Sequence, residues 1–164
     1  MQVRDETIAD APAVGKLIAE AFAGAPISDG NEAGIVERLR SEGALTISLV
    51  AEDEGRIVGH AAFSPVAIDG NQGSWFGLGP VAVAPCSQDR GVGRALVEEG
   101  LNRLRDIGAH GCVVLGEPVY YGRFGFSHDP NLRYGRTGKH FQRLVLGGVE
   151  SVGEVRYHPA FGSG

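Results

Sequence analysis

The sequence has few cysteines and no long apolar run, and each shortage excludes a class of protein. A membrane-spanning helix needs about 20 consecutive apolar residues, and no stretch of this chain approaches that length. Two cysteines, Cys86 and Cys112, do not make a disulfide framework in a domain of this size. The first residues carry acidic side chains where a secretion signal would have basic ones. We therefore expect a cytoplasmic protein without a membrane partner.

An excess of positive charge and the spacings of metal ligands are also missing. The formal net charge is −5, so no basic face favours binding to nucleic acid. The five histidines lack the HExxH spacing of a zinc site, and the two cysteines lie far apart in the chain. We expect neither a nucleic-acid partner nor a bound metal.

Glycine, in contrast, is abundant. The chain has 26 glycines among 164 residues, about twice the usual share, which indicates many tight turns and close approaches of the backbone. This length is typical of one domain with a substantial core. The sequence therefore predicts a single domain over residues 1–164.

Periodic apolar patterns predict both helices and strands. Val14, Leu17 and Ile18 lie at helical spacing after Asp10, and Ile35–Leu39 predicts a second helix. The elements predicted after them are an antiparallel hairpin over residues 45–63, a strand–helix–strand segment over residues 81–115, a brief helix after Glu117, a further strand, and a closing hairpin of residues 143–149 and 152–157. This order predicts an α/β fold of the α+β type, with a mixed sheet and helices on its faces.

The stretch from Gly77 to Leu104 has the strongest local pattern in the chain. Val81–Ala84 predicts a buried strand, Pro85 predicts a turn, and a helical pattern follows Gly93. A strand, a glycine-containing turn and a helix start together direct several free N–H donors at one point. Such a point attracts phosphate.

Two common nucleotide motifs do not fit this sequence. A P-loop needs glycine where Arg133 stands and Ser or Thr where His140 stands, around Gly138-Lys139. The dinucleotide fingerprint needs a third glycine at the position of Leu96. A nucleotide-dependent enzyme is therefore disfavoured.

The pattern that does fit is Gln88-x-x-Gly91-x-Gly93, which resembles the acyl-CoA-binding motif of the GNAT N-acyltransferase superfamily. The segment Tyr121-Gly-Arg-Phe-Gly125-Phe126 is similar to the superfamily's second landmark, Tyr-x-x-x-Gly-Phe. The resemblance covers essentially the whole chain. It implies the GNAT fold, in which a mixed, mostly antiparallel twisted sheet is flanked by helices, and it implies acetyl-CoA as the acyl donor.

The resemblance also implies roles for particular residues. Backbone amides from Gly91 to Ala95 would face the pyrophosphate of coenzyme A, and arginines beside them would add charge-assisted contacts. One amide of the preceding strand would stabilise the oxyanion of the thioester. The residues expected to contact the cofactor are Val81, Ala82, Val83, Gln88, Asp89, Arg90, Gly91, Val92, Gly93, Arg94, Ala95, Tyr120, Tyr121 and Phe124.

Acyl transfer to an amine needs a group that takes the proton of the amine and a group that protonates the departing thiolate. Tyr121 matches the landmark position and is the expected acid. Glu117 is the nearest acidic candidate for the base, while His60, Asp69 and His128 are weaker candidates. The central strand contains no acid, so deprotonation through water and an acceptor that arrives neutral both stay open.

We expect direct transfer of an acetyl group in a ternary complex to a small-molecule or peptide amine. A covalent route through Cys86 is disfavoured because no histidine stands beside it in the sequence. The acceptor site is expected along residues 22–31, the hairpin and the C-terminal strands, and a homodimer is left open. The alternative function is an acyl-CoA-binding sensor without turnover, which the missing base favours.

Overall fold

The computed structural model describes residues 1–23, 31–148 and 150–162. Its helices are α1 (Ala11–Phe22), α2 (Glu32–Ser41), α3 (Val92–Asp106) and α4 (Pro118–Gly122). None of the helices in these ranges is long and apolar enough to cross a membrane. The expected acceptor segment, residues 22–31, falls mostly in the gap at 24–30, and that part lies outside the described residues.

Within the described ranges, eight strands form one mixed sheet. They are β1 (Gln2–Asp5), β2 (Ile47–Asp53), β3 (Arg56–Ile68), β4 (Asn71–Val83), β5 (Gly111–Leu115), β6 (Leu132–Arg133), β7 (Phe141–Val145) and β8 (Gly153–Arg156). The strand order is β1-β2-β3-β4-β5-β7, with β8 beside β3 and β6 beside β8. The β4–β5 and β6–β8 pairs are parallel, whereas the β1–β2, β2–β3, β3–β8 and β5–β7 pairs are antiparallel. The predicted class, a mostly antiparallel mixed sheet with helices, is confirmed.

The chain divides into two compact units, and the first holds residues 1–63 and 79–100. Its core forms where the apolar stripe of α1, with Val14, Leu17 and Ile18 all buried, packs with Val50 and Ala62 of the sheet. The predicted helical spacing of these three residues is thus the face that the core uses.

The second unit holds residues 64–78 and the chain from Leu101 onward. Its core consists of Val66, Trp75, Val113, Leu132, Phe141 and Val155. The parallel register of β4 and β5 lies inside this unit and runs from Trp75↔Gly111 to Leu78↔Val114. That residues 1–164 form a single domain stays a prediction.

The predicted closing hairpin is wrong. β7 pairs with β5 along its whole length, and β8 pairs with β3 and β6, so the two C-terminal strands are not partners of each other. One physical reason is a contact between residues far apart in sequence that holds β8 beside β3. The carboxylate of Asp69, in the turn after β3, accepts a hydrogen bond from the Glu154 amide at 2.9 Å. Contacts of this kind outweigh the advantage that closeness in sequence gives to a hairpin.

The strand expected after α4 is present as β6, which is only two residues long, and a single bridge between Ser127 and Arg143 precedes it. Conversely, the central strand is longer than the predicted Val81–Ala84. Asp69 and Gly70 alone make the turn after β3, both with left-handed backbone (φ 49° and 81°), so β4 already begins at Asn71.

Candidate functional site

The candidate residues fall into two groups, one in each unit, and each group is described by itself. The first group surrounds the turn between β4 and α3. Pro85–Ser87 forms one turn of 3-10 helix, and the Ala84 amide donates to the Val58 carbonyl at 2.8 Å. The Gln88 side chain then donates from Nε2 to the Val83 carbonyl at 3.3 Å. The motif glutamine therefore ties the turn back to the end of β4.

The helix that follows begins with its first turn held close to the sheet. A Cβ atom placed on Gly59 of β3 would lie 2.7 Å from Val92 Cγ1 and 2.8 Å from Leu96 Cδ1. Only glycine permits this approach, which fixes the position of the helix start. The Ala95 amide donates to the Gly91 carbonyl at 3.0 Å, and this bond is the first of the helix.

Gly91 itself has a left-handed backbone with φ of 79°, and nothing lies within 4 Å of the place where a Cβ would stand. The backbone of the turn is thus open on that side. Because the Ala95 amide is engaged within the helix, the donors available to a ligand by helix geometry precede it.

The charged residues of the turn differ in backbone conformation and in ion-pair partners. Arg90 and Asp89 are exposed, and Asp89 takes a left-handed backbone with φ of 63°. Arg94 is also exposed, and its Nε lies 2.8 Å from Glu98 Oε1 one helical turn later. A carboxylate therefore already shares the Arg94 guanidinium.

At the end of β4, just before the turn, the side chains are partly or fully buried, so backbone groups rather than side chains are the parts that a ligand could contact. Val81 and Val83 are half-buried and Ala82 is buried in the core of the first unit. The residue pairs between β4 and β5 end at Leu78, while β4 itself continues to Val83.

The second group is aromatic and lies in the second unit on and beside α4. The Tyr121 ring packs against Gly116, where a Cβ would collide with it, and lies 4.9 Å from the Tyr120 ring and 6.0 Å from the Phe126 ring. Phe124 closes the cluster, with its ring 5.6 Å from that of Tyr120. The four rings hold one another in place, because edge-on aromatic pairs prefer these separations.

The environment of Tyr121 keeps its hydroxyl protonated. Burial, together with Tyr120 and Cys112 nearby, raises the pKa of Tyr121 to about 12. A phenol with this pKa is neutral at pH 7 and can act as a hydrogen-bond donor or general acid.

Each candidate for the base has a more ordinary role. Glu117 is exposed at the start of α4, and its carbonyl accepts from the Tyr121 amide at 3.0 Å. Asp69 binds the Glu154 amide, and His128 Nδ1 lies 3.0 Å from the Phe141 carbonyl. His60 is fully buried in the first unit, with Nε2 2.8 Å from Ser48 Oγ.

The cysteines also differ in environment. Cys86 is exposed beside Ser87, with its Sγ 3.8 Å from the Ser87 hydroxyl. Cys112 is buried, and burial raises the pKa of its thiol well above the ordinary value, so it is protonated at neutral pH. Within the described residues, no group of three or more His, Cys, Asp or Glu side chains is placed to hold a metal ion.

Two features of these units were missed by reasoning from sequence. One is the half-buried network in which Ser48 Oγ donates to Glu6 Oε2 at 2.9 Å and Arg40 binds the same carboxylate, with the buried His60 on the other side of Ser48. The other is Tyr157, whose ring lies against Gly77 of β4. The residues of each feature come from distant parts of the chain, and their spacing carries no signal.

Comparison with known proteins agrees with this geometry. The family model of the acetyltransferase (GNAT) domain matches residues 2–128. The chain is 40% identical to the uncharacterized N-acetyltransferase YhbS of Escherichia coli strain K12, over 98% of each chain. It therefore belongs to the GNAT acetyltransferase family. Members of this family are acetyl-CoA-dependent acyltransferases, and the chain is an enzyme of that class.

Solved structures give the same result. A GNAT family acetyltransferase from Brucella melitensis in complex with acetyl-CoA is 44% identical, with a TM-score of 0.89 over 98% of this chain and 97% of that one. YhbS from Escherichia coli in complex with CoA is 36% identical, with a TM-score of 0.85 over 99% of this chain and 92% of that one. The predicted resemblance to the family is confirmed.

Proposed function

We propose that this protein transfers an acetyl group from acetyl-CoA to a small-molecule or peptide amine by direct attack in a ternary complex. The two solved relatives bound to acetyl-CoA and to CoA support the choice of donor. The observation that carries the proposal is the turn after β4. There Gln88 ties the turn to Val83, and an open Gly91 precedes the start of α3.

The turn would bind the pyrophosphate of coenzyme A through its backbone. Amides at Gly91, Val92 and Gly93 lie at the start of α3, where amides have no acceptor within the helix and the helix dipole favours an anion. A phosphate can approach Gly91 closely because no side chain covers its backbone. Exposed Arg90 and Arg94 would add charge, while Gln88 and Asp89 would contribute through the shape of the turn.

The end of β4 would hold the rest of the donor. Backbone groups at Val81, Ala82 and Val83 are the proposed contacts of the pantetheine arm, and one amide among them would stabilise the oxyanion that develops on the thioester. The half-buried rings of Tyr120, Tyr121 and Phe124 are proposed as an apolar wall for the cofactor.

Tyr121 is the proposed acid. Its raised pKa keeps the proton on the phenol at neutral pH, so the hydroxyl can donate that proton to the leaving thiolate. Glu117 is exposed, so as a base it would act through water. Otherwise the amine enters in its neutral form and loses its proton to solvent after attack.

The test is release of free thiol from acetyl-CoA in the presence of a panel of amines, namely the proteinogenic amino acids, spermidine, benzylamine and aniline. We expect at least one amine to accelerate thiol release, with a matching acetylated product detected by mass spectrometry. Saturable binding of acetyl-CoA with no acceleration by any of these amines would support the alternative, a sensor without turnover. The exposed position of Glu117 is the observation that favours that alternative.

A further inference from the structure

The second unit contains a cavity whose residues the proposed acetyl transfer does not use. It lies in the chain between His128 and Phe141, and its volume is about 320 Å³. Sites for small molecules have volumes of roughly 300 to 1,000 Å³, so the cavity has room for one small ligand. The described residues that line it include no acidic side chain, and among them are His128, Leu132, Arg133, Tyr134, Arg136 and Phe141.

The apolar part of the cavity is formed before any ligand arrives. Leu132 and Phe141 are buried and make its floor. Half-buried Tyr134 and exposed Pro130 are the apolar surfaces that a ligand can reach. The Tyr134 ring lies 5.5 Å from the Phe141 ring, and the Tyr134 carbonyl accepts a hydrogen bond from Thr137 Oγ1 at 2.6 Å. These contacts hold the Tyr134 ring in place, so an aromatic ring of a ligand can pack against it.

The charged part of the cavity is positive, although the formal net charge of the protein is −5. Residues 130–149 contain three arginines, one lysine and no acidic side chain. Two of these arginines already have carboxylate partners. Arg133 Nε lies 3.4 Å from Glu154 Oε2. Arg143 Nε lies 3.3 Å from Asp129 Oδ2.

The other two cations, Arg136 and Lys139, are exposed, and among the described residues neither has a carboxylate within ion-pairing distance. Arg136 lines the cavity, whereas Lys139 does not belong to its lining. The backbone beside Arg136 already binds one carboxylate, because the Gly135 amide donates to Glu154 Oε1 at 2.8 Å. The Arg136 guanidinium is therefore the cation left for the carboxylate of a ligand, and its planar fork fits that group.

We propose that this cavity binds a small aromatic carboxylate, with its ring on Tyr134 and Pro130 and its carboxylate on Arg136. The two parts of the cavity select this class together. An inorganic anion would leave the apolar surface without a partner, and an uncharged aromatic molecule would gain nothing from Arg136. The inference goes beyond the proposed acetyl transfer and does not depend on it, because the binding requires no acetyl-CoA.

The probe is 3-phenylpropionate, titrated into the protein without acetyl-CoA while the backbone amide shifts are followed by NMR. We expect saturable shifts concentrated in residues 130–141. Acetate has the charge without the ring, and 3-phenylpropanol has the ring without the charge. Each should bind with a Kd at least about fivefold higher, the loss expected when an exposed ion pair or a ring contact is removed.

The matched variants are Arg136→Gln and Lys139→Gln, which each remove one exposed positive charge from the same segment. Arg136→Gln should raise the Kd for 3-phenylpropionate about fivefold, whereas Lys139→Gln should leave it within about 1.5-fold. Both variants should keep a melting temperature close to that of the unchanged protein, because substitutions at such exposed positions change stability little.

Two results would overturn the inference. Equal changes of Kd in the two variants would reduce the effect to a general attraction between an anion and a basic segment. Shifts that do not saturate, or that lie mainly outside residues 128–141, would show that the cavity is not the binding site.

A second measurement identifies the source of the carboxylate. Competitive inhibition of thiol release by 3-phenylpropionate, against the fastest amine of the panel, would show that the site holds part of the acyl acceptor. Saturable binding without competition would show a separate ligand that is not acetylated, and both results support the site. Absence of thiol release with every amine overturns the proposed acetyl transfer and leaves the binding result intact.

Discussion

The turn after β4 and the aromatic cluster of the second unit use opposite kinds of chemistry. In the turn, the proposed contacts are backbone groups, and the side chains serve mainly to shape the chain, as Gln88 does through its bond to Val83. In the aromatic cluster, Tyr121 would act through its own hydroxyl, which burial keeps neutral.

This difference has a consequence for mutation. A site built from backbone amides depends on conformation, so it tolerates many side chains but not a change in backbone geometry. A site built from hydroxyls tolerates little change in the side chain while the fold stays intact. The following predictions test that contrast, beginning with the largest effect.

Replacing Tyr121 with Phe should lower kcat at least about 100-fold, the usual range for loss of a general acid. Removing one hydroxyl from the half-buried ring should leave the melting temperature within a few degrees, because the ring contacts remain. Steady-state thiol release and thermal unfolding check the two parts. A kcat within about threefold of the unchanged protein would remove Tyr121 from the mechanism.

The first unit should be destabilised by acid through His60. Burial, followed by the positive charge of Arg40, lowers the pKa of His60 to about 4. Because the folded pKa lies below the unfolded value, stability is fully present above pH 6.5 and is lost as the pH falls toward 4, by about 3 kcal/mol for this group. The free energy of unfolding, measured by urea titration across this range, should follow that slope.

Two histidine variants check this prediction, one as the test and one as its matched control. His60→Gln should flatten the slope between pH 6.5 and pH 4, whereas His110→Gln, at an exposed position, should keep it. Equal slopes in the two variants would show that His60 is not the responsible group. The pH dependence that Tyr121 contributes has the opposite sign. Because its pKa is raised in the folded protein, the free energy of unfolding should fall as the pH rises from 10 to about 12.

Gly91→Ala should weaken binding of CoA about tenfold by placing a Cβ on the open face of the turn. Gly108→Ala is the matched control, because both glycines have φ near 80° and open space at the Cβ position. Each variant should lose about 1 kcal/mol of stability, since alanine is strained at positive φ. Calorimetric titration with CoA should separate them, and equal Kd values would contradict a phosphate site at Gly91.

Arg90→Gln should have the smallest effect, a rise in the Kd for CoA of about threefold that shrinks in 0.5 M salt. Arg105→Gln, at the other end of α3, should leave Kd unchanged. We expect Arg94→Gln to have less effect than Arg90→Gln because Glu98 already shares the Arg94 guanidinium. A larger rise in the Kd for CoA with Arg94→Gln than with Arg90→Gln would contradict this expectation.

Much of the first group could be predicted from sequence because its parts are contiguous. The strand, the turn and the helix start of residues 81–95 are specified by local patterns of apolar residues, proline and glycine, and the structure contains each of them. The placement of Tyr121 in a short helix beginning at Pro118 also follows from its immediate neighbours. The functional roles of these residues stay proposals.

The partners of the C-terminal strands could not be predicted in this way. The apolar runs around residues 143 and 155 indicate strands correctly, but an isolated run carries no information about which edge it will meet. β7 pairs with β5 and β8 pairs with β3 because those edges offer matching hydrogen-bond groups in three dimensions.

The sequence by itself therefore determined the class of fold, the family and the turn that we propose as the phosphate site, all of which depend on residues close together in the chain. The tertiary structure alone decided that Tyr157 lies over Gly77 with a buried hydroxyl, and that His60 reaches Glu6 through Ser48. Burial and pKa are properties of surroundings that distant segments assemble. Local pattern specifies the backbone site, whereas packing specifies the environment in which the side chains act.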